Sequence, residues 1–70
     1  MPHEVDIHVG QKLKQARTLR RYSQTDVARQ LKLSFQQVQK YEIGSNRIAA
    51  SRLFELSKIL KMQMYPNTFG

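Results

Sequence analysis

Residues 34–42, Ser34-Phe35-Gln36-Gln37-Val38-Gln39-Lys40-Tyr41-Glu42, carry the side chains best suited to chemistry with another molecule. At about 100° per residue, Val38, Tyr41 and Glu42 fall on one side of a helix. Gln36, Gln39 and Lys40 fall on the other, with Phe35 and Gln37 at the margins. A surface helix that needs only solubility usually carries Lys and Glu outward. This face offers amides and a cation instead. An amide donates and accepts in one bidentate pair, as an adenine edge requires, and an ammonium donates to guanine O6 and N7. The competing reading is a solvated face that happens to be rich in Gln, and the nonapeptide alone leaves both standing.

Nothing else in the chain groups into a site. There is no cysteine, so neither disulfides nor thiolate metal ligands are available. His3 and His8 lack a ligand-spaced partner and read as exposed residues at a helix entry. No carboxylate cluster, phosphate-cradling Gly loop or nucleophile–base triad stands out, which argues against an enzyme. No metal, cofactor or small-molecule substrate is expected.

The totals narrow the partner. Seventy residues make one small domain. Twelve Lys and Arg against five Asp and Glu give a formal charge of +7. Such a surplus favours polyanions, either nucleic acid or an anionic membrane surface. It is also compatible with a basic soluble protein that has no such partner. The basic residues are scattered rather than lining one long amphipathic face, which disfavours the membrane. No apolar run approaches about 18 residues, so no membrane span is expected. Met1-Pro2-His3-Glu4 has no basic stretch leading into an apolar one, so no secretory signal is expected and the cytoplasm is the simplest location.

The elements that must position residues 34–42 follow from periodicity and capping. Residues 1–5 read as a short arm, with Asp6 as an N-cap. Val9, Leu13 and Ala16, with Leu19 near the end, predict a first helix over about 7–19. Gly10 inside it costs roughly 1 kcal/mol against Ala; a close helix contact or simple tolerance would each account for it. Ser23 with Asp26 is close to a capping box, and Val27, Ala28 and Leu31 stripe a second helix over about 24–31. After Lys32-Leu33, Ser34 caps a third over about 35–42. Two short helices joined by so tight a turn are a helix-turn-helix. Gly44 sits where a left-handed residue ends that helix, and Ile48 is expected to return to the core. A fourth helix, about 50–61, places Leu53, Leu56 and Leu60 on one face with Phe54 and Ile59 off it. The resulting partition is an arm, a helix-turn-helix domain over 6–62 and a tail over 63–70, in which Pro66 limits any further helix.

In this order and spacing the chain resembles the Cro/phage-repressor type of helix-turn-helix regulator, the XRE family. The resemblance is carried by Val9-Gly10, Leu13 and Arg17; Ser23-Gln24 and Val27-Ala28; Leu33-Ser34, Val38, Tyr41-Glu42 and Gly44; and Leu53, Leu56 and Leu60. Residues 34–42 also resemble a bacterial subgroup of these regulators. The resemblance implies an all-α, lambda-repressor-like bundle of four or five helices that binds operator DNA as a dimer. Its second helix would cross the DNA backbone and its third would enter the major groove. It also implies an ion pair between Arg17 and Glu42, consistent with an inward-facing carboxylate that needs a partner. Two departures stand out: Lys32 occupies the place of the family's turn glycine, and Ala49 that of its usual Ser or Thr cap, for which Ser51 is a substitute if the helix starts later.

On this resemblance the expected function is transcriptional control by sequence-specific binding of double-stranded DNA as a homodimer. Phe35, Gln36, Gln37 and Lys40 are the expected base contacts, Phe35 through a thymine methyl or, equally, by packing on the neighbouring helix. Arg17, Gln24, Ser34, Gln39, Asn46 and Arg47 are the expected backbone contacts. The other reading is a protein-interaction module, for instance of antitoxin type, using an apolar surface of Phe54, Ile59, Met62, Met64, Tyr65 and Phe69.

Overall fold

The computed structural model describes residues 3–61, which form four α-helices: α1, Glu4–Leu19; α2, Gln24–Leu31; α3, Phe35–Ile43; and α4, Ala50–Leu60. No strand occurs among the described residues. The fold is therefore all-α, as the periodicity predicts. The expected tail over 63–70 and any fifth helix lie outside the described residues.

The helix boundaries follow from local chemistry. The Ser23 hydroxyl accepts the Asp26 N–H at 2.9 Å, and the Asp26 carboxylate accepts the Ser23 N–H at 2.8 Å. This reciprocal box starts α2 where the sequence predicts. The same two Ser23 groups, first the N–H and then the hydroxyl, hold the Asp26 carboxyl below its ordinary pKa. Ser34 begins α3 by accepting the Gln37 N–H at 3.2 Å. Two expectations are corrected. Asp6 is not the cap of α1: the helix starts at Glu4, because His3 Nδ1 accepts the Val5 N–H at 3.1 Å, and Glu4 and Val5 thereby leave the expected arm. Ser51 does not cap α4 either, since Ala49 holds the cap position with no side-chain acceptor.

Three basic residues take left-handed backbone conformations at helix ends: Arg21, Lys32 and Lys61, with φ of 59°, 58° and 51°. Lys32 thus holds the strained geometry expected of the turn between α2 and α3, at a cost on the order of 1 kcal/mol. Arg52 Nη1 reaches the Leu31 carbonyl beside it at 3.5 Å.

The core joins all four helices through Leu13, Val27, Ala28, Leu31, Val38, Leu56 and Leu60. Fully burying one such Leu or Val stabilises by roughly 1.5–3 kcal/mol. Tyr22, Leu33, Tyr41 and Ile48 pack around them, so Ile48 returns inward as expected. So does Ile59, although helical spacing places it off the α4 stripe. Leu19 departs the other way: it lies past the last buried turn of α1 and is 79% exposed.

α3 packs closely against α1 and α2, and α4 makes a lighter contact with the same two helices. The α1–α3 contact explains Gly10. A Cβ there would fall inside 3.0 Å of the Tyr41 and Glu42 carbonyl oxygens. A close helix contact, rather than tolerance, therefore accounts for this glycine.

Candidate nucleic-acid interface

α3 is held at three places, and what is left over is the candidate surface. Its middle is fixed by Val38, which is fully buried. Its end is fixed by Gly44, at φ 82°, whose N–H turns back to the Lys40 and Tyr41 carbonyls at 3.1 and 3.2 Å. Between them Glu42 is buried, and its carboxylate is the hub of the site's scaffold.

Arg17 Nε donates to Glu42 Oε2 at 2.5 Å, and Nη2 donates to Oε1 at 3.1 Å. The remaining guanidinium nitrogen, Nη1, donates to the Tyr22 carbonyl at 2.8 Å. Gln24 Nε2 adds a third donor to the carboxylate, reaching Oε1 at 3.0 Å. The Arg17 and Glu42 side chains are only 11% and 3% exposed. A buried charge is tolerated when it is paired and hydrogen-bonded in this way. Among the described residues no buried side-chain nitrogen or oxygen lacks a partner. The Arg17–Glu42 pair implied by the resemblance is present. It ties the end of α3 to α1, to α2 through Gln24, and to the connecting segment through Tyr22.

These ties revise two of the expected backbone contacts. Arg17 is removed from the set, because all three of its nitrogens donate inward. The Gln24 side chain is half-buried against Glu42 rather than free at the start of α2, so a phosphate there would meet the helix's first N–H groups instead. Nothing in the local spacing announced the Gln24–Glu42 bond; only the packing of α2 on α3 brings these residues together.

The outward face of α3 carries Gln36, Gln39 and Lys40, all exposed, with Phe35 46% exposed and Gln37 half-buried at the margin. The helical-wheel division expected from sequence is the one observed. Ser34 is exposed while capping the helix. Asn46 and Arg47 follow in the loop before α4, both exposed. Arg47 has a partner that sequence reasoning missed: its Nε donates to Asp6 Oδ1 and Oδ2 at 3.2 and 3.3 Å. Asp6 was free for this role because His3, not Asp6, caps α1. Phe54, on the far helix, is 53% exposed beneath the Lys58 ammonium, which sits 4.5 Å from its ring centroid. Met62, Met64, Tyr65 and Phe69 of the expected apolar surface lie outside the described residues. No group of His, Asp or Glu among the described residues is arranged to hold a metal ion. No helix there is long and apolar enough to cross a membrane.

Two short helices set at a tight turn, the second projecting a polar face while its other side is anchored in a small all-α core, define a helix-turn-helix domain. Comparison with known proteins agrees. The helix-turn-helix family model matches residues 13–65, and the chain belongs to the Cro/phage-repressor, or XRE, family of transcription regulators, which are not enzymes. A transcriptional regulator in the ATPase CF(0) region of Rhodospirillum rubrum is 53% identical over 58 residues, covering 83% of this chain and 54% of that protein. An HTH-type transcriptional regulator of Sinorhizobium fredii is 48% identical over 62 residues, covering 89% and 43%. Another, from Sinorhizobium medicae, is 46% identical over 61 residues, covering 87% and 44%. The chain thus spans about half the length of the curated relatives it matches. No solved structure gives a significant match.

Proposed function

We propose that this chain binds double-stranded DNA sequence-specifically, in the cytoplasm, to regulate transcription. α3 enters the major groove, where Gln36, Gln37 and Lys40 meet base edges and Phe35 meets a thymine methyl. Ser34, Gln39, Asn46 and Arg47, with the free N–H groups that start α2, hold the sugar-phosphate chains. Two copies engage a pseudo-palindrome whose half-sites lie about one helical turn apart. The observation that carries this reading is the polarity of α3: Val38 and Glu42 are buried while Gln36, Gln39 and Lys40 are exposed. The net charge of +7 supplies the sequence-independent attraction. The transcription-regulator names of the relatives support the same reading.

Selection of bound sequences from random duplex DNA at moderate ionic strength is the test. Recovery of one motif with two-fold symmetry is expected. Recovery of no preferred motif would sink the proposal, and a single asymmetric half-site would remove the dimer from it.

A second reading, as an interaction module of antitoxin type, draws on Phe54, the one residue of the expected apolar surface that is exposed among the described residues, at 53%. Gel filtration with and without DNA separates the two. DNA alone shifting the elution favours the first reading; assembly without DNA affinity favours the second.

A further inference from the structure

We propose that Asp6 is a positioning residue for the contact that Arg47 makes with the DNA backbone, an inference that rests on the DNA-binding reading above. Arg47 lies in the loop between α3 and α4, and its side chain is 72% exposed. A long side chain on such a loop samples many rotamers, and binding must freeze them. Here the stem is already pinned: Nε donates to both Asp6 carboxylate oxygens, at 3.2 and 3.3 Å. Both terminal nitrogens remain without a partner among the described residues, and they form the fork that pairs with two phosphate oxygens. Asp6 is well placed to serve as the fixed post. Its side chain is only 14% exposed. It also sits in the first turn of α1, where the helix dipole favours a negative charge. The pair joins the start of α1 to the loop leaving α3, so Arg47 is registered against the same helix that anchors the reading helix.

The proposal is testable because simple electrostatics predicts the opposite result. A carboxylate near DNA repels phosphate, so Asp6→Asn, which adds one unit of net positive charge, should tighten binding if charge alone mattered. If Asp6 orients Arg47, the same substitution weakens binding. The experiment titrates the full chain, as parent, Asp6→Asn, Asp6→Glu, Arg47→Ala and Asp6→Asn/Arg47→Ala, against selected and scrambled duplexes at several salt concentrations. Asp6→Asn is expected to weaken binding about two- to fivefold, the scale of an exposed ion pair, on both duplexes alike. Asp6→Glu should recover part of the loss, and Asp6→Asn should cost nothing further once Arg47 is Ala. Equal or tighter binding by Asp6→Asn overturns the proposal. So does an equal loss with and without Arg47 accompanied by a lowered melting temperature, because Asp6 would then only brace the fold. A parent chain that binds no duplex overturns the DNA-binding reading and this inference with it, whereas a parent that binds while Asp6→Asn matches it overturns this inference alone.

Discussion

Truncation of Glu42 should be the most damaging single change in this domain. Its carboxylate, 3% exposed, receives three donors from Arg17 and Gln24. Glu42→Ala leaves the Arg17 guanidinium, itself 11% exposed, with the Tyr22 carbonyl as its one remaining acceptor. Removing one partner of a buried pair costs about 3–5 kcal/mol. A single core in a chain this small stabilises by a similar ~3–5 kcal/mol, so Glu42→Ala should be largely unfolded at room temperature. Glu42→Gln keeps the shape and one acceptor but turns an NH₂ toward an arginine donor, and should lose about 1.5–3 kcal/mol, the worth of a charge-assisted hydrogen bond. The decisive variant is Arg17→Met/Glu42→Leu, because replacing both charges by apolar groups of similar volume is often neutral or better. It should refold most of what Glu42→Ala unfolds. Urea unfolding followed by far-UV circular dichroism, at one fixed protein concentration, gives the midpoints. A Glu42→Ala midpoint shift worth less than about 0.5 kcal/mol, the range of ordinary surface substitutions, would refute the reasoning, since the pair would then be solvated and α3 anchored by something else.

Four further outcomes are expected. Gly10→Ala gains about 1 kcal/mol of helix propensity but drives a Cβ into two backbone carbonyl oxygens, and overpacking of about 1–3 kcal/mol should win; a raised melting temperature would contradict this. Lys32→Gly relieves the left-handed backbone at φ 58°, worth roughly 1–2 kcal/mol, less about 0.4–1 kcal/mol of added chain entropy, so thermal melts should show a small net gain. Asp26 has a pKa below its ordinary value in the fold, so its contribution is present at neutral pH and fades as pH falls through the acid range below about 4; Asp26→Asn should lessen the slope of melting temperature against pH in that range. Gln36→Ala or Lys40→Ala should cost about 1–3 kcal/mol on the selected duplex and relax one base pair, whereas Arg47→Ala should weaken all duplexes alike and lower the salt slope by about one unit; identical behaviour on scrambled DNA would overturn this division.

Local rules made the helices legible. Ser23 and Ser34 announce α2 and α3 because a hydroxyl cap acts within three residues, and Val27, Ala28 and Leu31 announce the buried face because helical spacing alone determines it. The two-faced character of residues 34–42 was visible for the same reason. What stayed hidden depends on tertiary packing. The freed Asp6 carboxylate found Arg47, 41 residues away, whereas the His3 cap that displaced it is local, an imidazole two residues from the N–H it accepts. Gln24 turned to Glu42 instead of outward, because α2 lies against α3 and a buried carboxylate attracts every donor within reach. Leu19 and Ile59 exchanged their expected environments because a helix's periodicity does not say where its neighbours end.

The placement of the glycines shows what the fold protects. Four helix ends carry a left-handed residue, yet Arg21, Lys32 and Lys61 hold that geometry without glycine, while α3 ends on Gly44. Backbone conformation alone does not distinguish the four. Space does: a Cβ on Gly44 would lie 2.7 Å from Ile7 Cα on α1. At the other side of the same contact, Gly10 of α1 lies against the carbonyls of Tyr41 and Glu42. Two glycines, one within α1 and one capping α3, thus bring α1 and the end of α3 together backbone to backbone. Side chains in a small core can change rotamer and let a helix tilt; main-chain atoms in direct contact cannot. The Arg17–Glu42 pair spans the same junction. α3 is therefore mounted stiffly at its C-terminal end, where it meets α1. Its outward residues Gln36, Gln39 and Lys40 are presented at an angle that core substitutions elsewhere should not change, while any added volume at Gly10 or Gly44 should.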